Sequence, residues 1–367
     1  MKIGVVRQRY VSTGGAERYL DGVIQELIAR GHGVHVFANS WEGLNRDFKF
    51  HRVPMIRLTS FLRALTFALA ARKTARRERC DLIFSLERTL QQDVYRAGDG
   101  CHREWLRQRA KYVSAFKNAT VKFNPLHWTL LGLERRAFSP HRTRRIIANS
   151  HRGKNEIVEH YRFPAERIEV IHNGVDCERF RPASNLRRSK EVILLFVGTG
   201  FERKGLGFCI GALKHLPGNV RLRIMGKGDV ERYKSMARKH RVDSRVEFLG
   251  TQQDIAMIYR EADLLVHPAI YEPFANVCLE ALASGLPVIT SRINGASEVI
   301  EHGKSGAIVE DPSDTFGLAD AVRPFLDAKF RAVASEHARN VAEAHPFAQN
   351  VAETLRVLMQ VTEMTRA

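Results

Sequence analysis

Val192-Ile-Leu-Leu-Phe-Val-Gly-Thr-Gly-Phe-Glu-Arg-Lys-Gly205 is the stretch that decides the fold. Six consecutive apolar residues leave no wet face, so this strand is expected to be buried on both sides, as strands of helix-covered parallel sheets are. Gly198 and Gly200 then free the backbone at the strand's carboxyl end, the edge where open α/β sheets bind ligands. Arg203 and Lys204 bring two adjacent cations to that edge. An arginine grips phosphate with a planar fork and a lysine acts as a point charge, so the pair suits a diphosphate. Taken alone, the run also fits a solvated Arg-Lys turn.

Working outward, short apolar runs alternate with helical stretches along the whole chain. Strands are expected at 3–6, 34–38, 82–84 and 145–150, with helices at 16–30, 61–79 and up to residue 161. The second half repeats the alternation: strands at 192–197, 221–225, 246–249, 264–267 and 288–290, helices at 206–216, 229–240 and 254–262. This is the signature of parallel sheets covered by helices. A chain of 367 residues fits two such domains. The division expected is 1–168, 169–347 and a terminal helical segment 348–367, with 181–190 a polar loop inside the second domain.

The second informative run is Tyr271-Glu-Pro-Phe-Ala-Asn-Val-Cys-Leu-Glu280. Glu272 falls in a loop and Glu280 about one turn into the following helix, which Pro273 helps to start and Gly285-Leu-Pro287 ends. The unpaired N–H groups of that helix start, Phe274, Ala275, Asn276 and Val277 among its first residues, stand beside two acids. Such a place suits a phosphate flanked by hydroxyls. By spacing alone, two surface glutamates fit equally well. Near the amino end, Lys2-Ile-Gly-Val-Val6 opens onto Gly14-Gly-Ala-Glu-Arg18, where Gly14 and Gly15 allow close backbone approach to a ligand. This is not the G-x-G-x-x-G dinucleotide pattern, and a plain turn is the other reading.

Together with Ile171-His-Asn-Gly-Val-Asp176, these runs resemble, in order, the motifs of the family 4 retaining glycosyltransferases, including their E-x7-E pair. Phe37-Ala-Asn-Ser-Trp-Glu-Gly43, Gln92-Asp-Val-Tyr-Arg-Ala-Gly-Asp-Gly-Cys-His-Arg103 and Phe201-Glu-Arg-Lys-Gly205 are most similar to the lipopolysaccharide core glucosyltransferase I group. The resemblance implies a GT-B fold, two Rossmann-like domains facing an interdomain cleft, with the terminal helix returning to the first. It implies transfer of glucose from UDP-glucose, with retention, to an inner-core heptose in α-1,3 linkage. Glu280 would then accept bonds from ribose hydroxyls, Glu272 hold the donor sugar, and Arg203 and Lys204 neutralise the departing diphosphate. Asp99 would orient the sugar or assist the acceptor hydroxyl. No metal or other cofactor is expected, since no Asp-x-Asp stands where one would serve.

Composition bounds the alternatives. Five dispersed cysteines without C-x-x-C spacing argue for a reducing cytosol and against a disulfide frame or zinc site. Cys101 beside His102 reads as an ordinary loop rather than a nucleophile pair. The net charge of +18 is lopsided: residues 1–170 hold 32 Lys and Arg against 16 Asp and Glu, a net of +16. Nucleic acid, anionic lipid and an anionic acceptor are the partners such a surface suits. No recognition module for nucleic acid is present. No apolar run approaches the ~18 residues of a spanning helix, and the first strand is too short for a signal-peptide core. Residues 103–122 set six cations against Glu104 alone, interleaved with aromatics. Arg103, Trp105, Arg107, Arg109, Lys111, Tyr112, Phe116 and Lys117 are therefore expected to lie on an anionic bilayer; an amphipathic core helix with a solvated basic face is the alternative. The implied setting is peripheral, on the cytoplasmic face of the inner membrane, against a lipid-linked anionic glycan acceptor. A family 4 enzyme with another sugar or acceptor, a glycosidase carboxylate pair, a silent scaffold and a nucleic-acid binder are the competing functions.

Overall fold

The computed structural model describes residues 1–10, 15–42, 47–183, 191–252 and 254–366. Two compact units divide the chain: Met1–His172 with Phe347–Ala367, and Asn173–Pro346. The crossing point lies four residues beyond the 168/169 division read from the sequence.

In the first unit the strands are β1 (Lys2–Val6), β2 (Arg9–Tyr10), β3 (Gly33–Ala38), β4 (Ser40–Trp41), β5 (Lys49–Arg52), β6 (Leu82–Ser85), β7 (Val94–Arg96), β8 (Arg145–Ala148) and β9 (Ile168–Val170). Seven of them form one parallel sheet in the order β5-β3-β1-β6-β7-β8-β9, and β2 pairs with β4 apart from it. The helices are α1 (Gly15–Ala29), α2 (Ser60–Glu78), α3 (His102–Tyr112), α4 (Ala115–Ala119), α5 (Pro125–Ala137) and α6 (His151–Tyr161). Ile3 and Val5 of β1 pack with Leu20, Val23 and Leu27 of α1, and Leu355 and Leu358 of the terminal helix join the same core. That helix, Phe347–Arg366, bonds to α1 where the Tyr19 hydroxyl donates to Thr354 Oγ1 at 2.9 Å.

The second unit holds β10 (Val192–Val197), β11 (Val220–Met225), β12 (Val246–Gly250), β13 (Leu264–His267), β14 (Val288–Ser291) and β15 (Gly306–Val309), all parallel, in the order β12-β11-β10-β13-β14-β15. Its helices are α7 (Leu206–Leu213), α8 (Val230–Lys239), α9 (Ile255–Arg260), α10 (Asn276–Ala283), α11 (Thr315–Val322) and α12 (Ala328–Glu343), which makes the terminal helix α13. Five of the six apolar residues of β10 are shared between two cores. Leu194 and Phe196 pack with Leu206 and Ile210 of α7, whereas Leu195 and Val197 pack with Leu279 and Leu282 of α10. A strand clothed on both faces needs the unbroken apolar run that its sequence carries.

One expectation fails. Residues 103–122 are not a single helix: α3 ends at Tyr112, Val113 is extended, and a short helix and a 3-10 turn (Thr120–Phe123) follow before α5. Asn124 caps α5 through its side chain and Pro125 takes the first turn, so a new helix start is written into the sequence just past 122. The polar loop expected at 181–190 lies outside the described residues from 184 onward.

Candidate active site

At the carboxyl end of β10 the chain turns through Gly198, Gly200 and Gly205 and enters α7. Gly205 has φ +80°, and a Cβ there would stand 2.0 Å from the Pro268 carbonyl oxygen. No side chain fits, so the turn is locked against the loop that follows β13. The Arg203 carbonyl accepts a bond from Ile270 N–H at 2.9 Å, which ties the same two segments. A Cβ on Gly198 would overlap the Lys204 side chain at 2.3 Å, so this glycine opens the groove in which the lysine lies.

Both cations converge on Glu272. Lys204 Nζ is 3.2 Å and Arg203 Nη2 3.3 Å from Glu272 Oε2. Lys204 and Glu272 are nearly enclosed, 12% and 11% exposed at the side chain, but Arg203 keeps 39%. The carboxylate thus has two charge partners, one of them reaching solvent. Asn294 supports the loop from behind: its Oδ1 accepts from Ala275 N–H and Ala296 N–H, and its Nδ2 donates to Thr290 Oγ1. The Glu272 carbonyl accepts from Gly295 N–H at 2.9 Å. Glu272 is thereby held just before the start of α10.

Helix α10 begins at Asn276 with no side-chain cap on Ala275. Asn173 Nδ2 donates to Asn276 Oδ1 at 2.5 Å. Phe274, Ala275 and Glu280 are buried, and Asn276 and Val277 are half-buried. Glu280 accepts from the Tyr259 hydroxyl at 3.0 Å, which fixes its carboxylate on the helix side. His267, at the end of β13, is fully buried and stacks on Phe196, and neither ring nitrogen has a hydrogen-bond partner among the described residues. Burial, then the nearby Lys204 and Arg203, hold its pKa well below the ordinary histidine value, so it is neutral. Arg203, Lys204 and Glu272, which the sequence places in two separate runs, form one ion cluster, and His267 is buried near its two cations.

The first unit carries its charges differently. Gly14 lies outside the described residues, and Gly15 opens α1. Asp99 sits in the turn after β7, where Gly100 has φ +65°. It is 65% exposed and 3.5 Å from Arg88 Nη1. Arg88 itself is deeply enclosed, donating to Glu134 Oε2 at 3.1 Å and to the Gly100 carbonyl at 2.8 Å. Glu134, on α5 and fully buried, also accepts the backbone N–H groups of His102 and Arg103 and the Tyr161 hydroxyl. A carboxylate from a neighbouring helix thus caps α3. Arg7, just past β1, pairs with Glu17 at 2.9 Å and Glu87 at 3.3 Å. Arg88, Glu134, Arg7 and Glu87 were absent from the sequence reading, since each partner lies far away along the chain.

Cys101 is buried and its thiol is pushed well above the usual range, chiefly by burial. His102 turns to His127 instead, Nε2 to Nδ1 3.0 Å, and burial lowers its pKa to about 3. Helix α3 has a polar inner face of His102, Glu104 and Gln108. Burial opposes ionisation of Glu104, but bonds from Arg107, Gln108 and His160 hold its pKa below the ordinary value. Arg107 is therefore tied to Glu104 at 2.7 Å and to Glu159 at 3.5 Å. Trp105, Arg109 and Tyr112 are half-buried; Arg103, Lys111 and Phe116 are exposed, and the Lys117 side chain lies outside the described residues. Among the described residues of the first unit the exposed aromatics are Phe116, Phe123 and Trp128, at 83%, 84% and 70%. Two of these three lie beyond the segment singled out from sequence. Among the described residues no helix is long and apolar enough to cross a membrane.

Comparison with known proteins matches residues 13–179 to the family described as Glycosyltransferase Family 4 and residues 178–343 to Glycosyl transferases group 1. Lipopolysaccharide glucosyltransferase WaaG of Escherichia coli is 26% identical over 353 residues, 91% of this chain and 92% of that protein. Glycogen synthase of Mycobacterium tuberculosis is 37% identical over 189 residues, half of this chain and 45% of that protein. The crystal structure of WaaG superposes with a TM-score of 0.83 at 24% identity, covering 97% of this chain and 99% of that one. Anabaena HepE, solved in complex with UDP-glucose, gives 0.71 at 20% identity, covering 98% and 100%.

Proposed function

Starting from a chain that belongs to the family 4 glycosyltransferases of GT-B fold, we propose that it transfers glucose from UDP-glucose to an inner-core heptose of lipopolysaccharide, with retention and in α-1,3 linkage. The observation that carries the donor half is the convergence of Arg203 and Lys204 on Glu272 beside the uncapped start of α10. In this reading the diphosphate meets both cations and the α10 N–H groups, while Glu272 turns to the hydroxyls of the sugar. Glu280, steadied by Tyr259, accepts the ribose hydroxyls. The acceptor oxygen bonds to the sugar's anomeric carbon as the bond from that carbon to the diphosphate breaks. The leaving phosphate takes the acceptor's proton on the same face, and UDP and an α-glucoside result. Arg203 and Lys204 stabilise the negative charge growing on the phosphate, so the reaction needs no metal. Asp99, exposed beside Arg88, is the first-unit carboxylate assigned to orient the transferred sugar or the acceptor hydroxyl.

The acceptor and its setting follow from the WaaG likeness and from surface charge. The +16 of residues 1–170 suits a lipid-linked anionic glycan at an anionic membrane face on the cytoplasmic side. Phe116, Phe123 and Trp128 supply the exposed apolar edge, with Arg103, Arg109 and Lys111 nearby in sequence; they attach the protein peripherally and reversibly. A family 4 enzyme using another nucleotide sugar or glycan is the second reading, favoured by the 37% identical glycogen synthase match over half of the chain.

One experiment tests the whole assignment: purified protein, heptose-terminated core lipopolysaccharide, and a panel of labelled nucleotide sugars, with and without EDTA. Glucose from UDP-glucose should be transferred in both conditions and the product should show an α-1,3 linkage by NMR. Faster turnover of another donor, a different linkage, or full loss of activity in EDTA would each remove the corresponding part. Phe116→Ser with Phe123→Ser should release the protein from vesicles containing anionic lipid while transfer to detergent-dispersed acceptor persists.

A further inference from the structure

The first unit has a second charged recess, and it lies at the wrong edge of the sheet for donor chemistry. Asp99 follows the carboxyl end of β7. The recess gathers residues from the amino ends of β6, β7 and β8 with the second half of α2, and encloses about 580 Å³. Five arginines line it: Arg72, Arg76 and Arg79 from α2 and its end, Arg142 and Arg144 from the approach to β8. The only carboxylate in the lining is Asp93. That carboxylate is already occupied, accepting Ile83 N–H at 2.8 Å and Arg144 Nε at 3.2 Å.

The partners of the other arginines are neutral. Arg76 donates through Nε and Nη2 to the amide oxygen of Gln91, at 3.2 and 2.9 Å. Arg142 Nη1 donates to the Leu90 carbonyl at 3.3 Å. Arg72 Nε is enclosed and has no hydrogen-bond partner among the described residues. Its pKa is pulled down, first by Arg76, then by burial, Arg142 and Arg136, with no carboxylate acting in the other direction. Arg72 and Arg76 sit one helical turn apart, where like charges repel. The floor beneath them is fixed: Gln92 bonds Thr89 and Thr143 in a buried chain, and Gln92 N–H meets the Arg142 carbonyl. A pocket that brings five guanidinium groups together over a single, already paired carboxylate is less stable empty than filled by an anion.

We propose that this recess is an anion site for the phosphate end of a phosphomonoester or diphosphate, separate from the Arg203–Lys204 pair of the second unit. Guanidinium forks match phosphate oxygens two at a time, and among the described residues Arg72, Arg76, Arg79 and Arg142 have no carboxylate partner. Two sources share this chemistry: a free phosphorylated solute, and the phosphate of a lipid headgroup or lipid-linked glycan. The site stands whether or not the donor is UDP-glucose.

The test uses the full chain carrying Arg203→Gln and Lys204→Gln, so that the glycine-turn cations contribute nothing. Inorganic pyrophosphate is titrated calorimetrically at constant ionic strength. A single saturable event is expected, and adding Arg72→Gln with Arg142→Gln should weaken it at least about 10-fold, the loss of one charge-assisted contact. Arg76→Gln, an exposed change, serves as the second variant should the pair fail to fold. In chloride buffer Arg72→Gln should raise the melting temperature, and pyrophosphate should raise that of the parent but not of the variant. No saturable binding, or undiminished binding in folded variants, overturns the proposal. Phosphatidylcholine vesicles containing phosphatidic acid, against the same vesicles with the phosphodiester phosphatidylglycerol, then assign the source. Arg72-dependent preference for phosphatidic acid points to a lipid phosphate; pyrophosphate binding without that preference points to a free one.

Discussion

Arg203 and Arg88 both stand at the carboxyl edge of a parallel sheet, and they are held in opposite ways. Arg203 shares Glu272 with Lys204 and keeps 39% of its side chain open. Two positive charges lean on one carboxylate, so the cluster keeps a net positive charge. Arg88 is only 12% exposed and is saturated by Glu134, the Gly100 carbonyl and Asp99. Burial opposes its charge, but Tyr95 and Glu134 raise its pKa above the ordinary value. The first arrangement is poised to change partners and the second is complete. Position at a sheet edge therefore does not distinguish a ligand-binding cation from a structural one; the charge count around it does.

The contrast breaks most sharply at Glu134. Removing its charge leaves Arg88 buried without its main partner and takes the acceptor from one of two helix N–H groups, so Glu134→Gln should cost about 3–5 kcal/mol of stability. Urea unfolding measures it. A loss below about 1 kcal/mol would mean the first-unit network is as adaptable as the second. At the glycine turn the outcome should invert: Lys204→Ala should lower turnover by roughly 100- to 1000-fold, about 2.7–4 kcal/mol of transition-state stabilisation, with little change in melting temperature. Equal damage to stability would show that the Lys204–Glu272 pair is structural after all.

A smaller effect separates the two acids of the second unit. Glu280→Gln offers one good acceptor where two stood, and UDP affinity should fall about 10-fold or more. Glu272→Gln loosens Arg203 and Lys204 from the carboxylate they share, so affinity for free UDP should hold while sugar transfer fails. Calorimetry with UDP on both variants decides it, and equal losses would merge the two roles.

What the sequence made legible follows the same division. The glycine turn, the cations and the Glu272–Glu280 segment were readable because strand, turn and helix start are local, and Gly205 is demanded by a backbone approach that leaves no room for Cβ. Glu134 and Glu104 were not. An acid on a helix reads as solvated, and the residues that bury these two, Arg88, Tyr161, His160 and Arg152, arrive from other elements. The break in segment 103–122 was hidden for the same reason. Its basic pattern was visible, but the buried polar face of α3 and the new start at Asn124-Pro125 were not weighed. The arginine recess was invisible because its lining comes from α2, from Gln91–Asp93 and from a loop, Pro140–Arg144, that lies far along the chain from α2.

The mildest expected difference concerns pH, and it tests whether the first unit's closed network also excludes protons. His102 is buried beside Arg88 and His127, and burial leads in lowering its pKa to about 3, from an unfolded value of 6.5. Between these values the unfolded chain takes up a proton that the native site refuses. Stability from this group is therefore complete above about pH 6.5 and declines as pH falls toward 3, at up to about 1.4 kcal/mol per pH unit. His102→Gln keeps a polar group near His127 but cannot titrate, so its unfolding free energy should fall less between pH 6.5 and 4.5 than that of the parent. Measured by urea unfolding, the two slopes should differ by a substantial fraction of one proton. Parallel slopes would mean that His102 is protonated in the native state, and that the network around Arg88 admits a further positive charge.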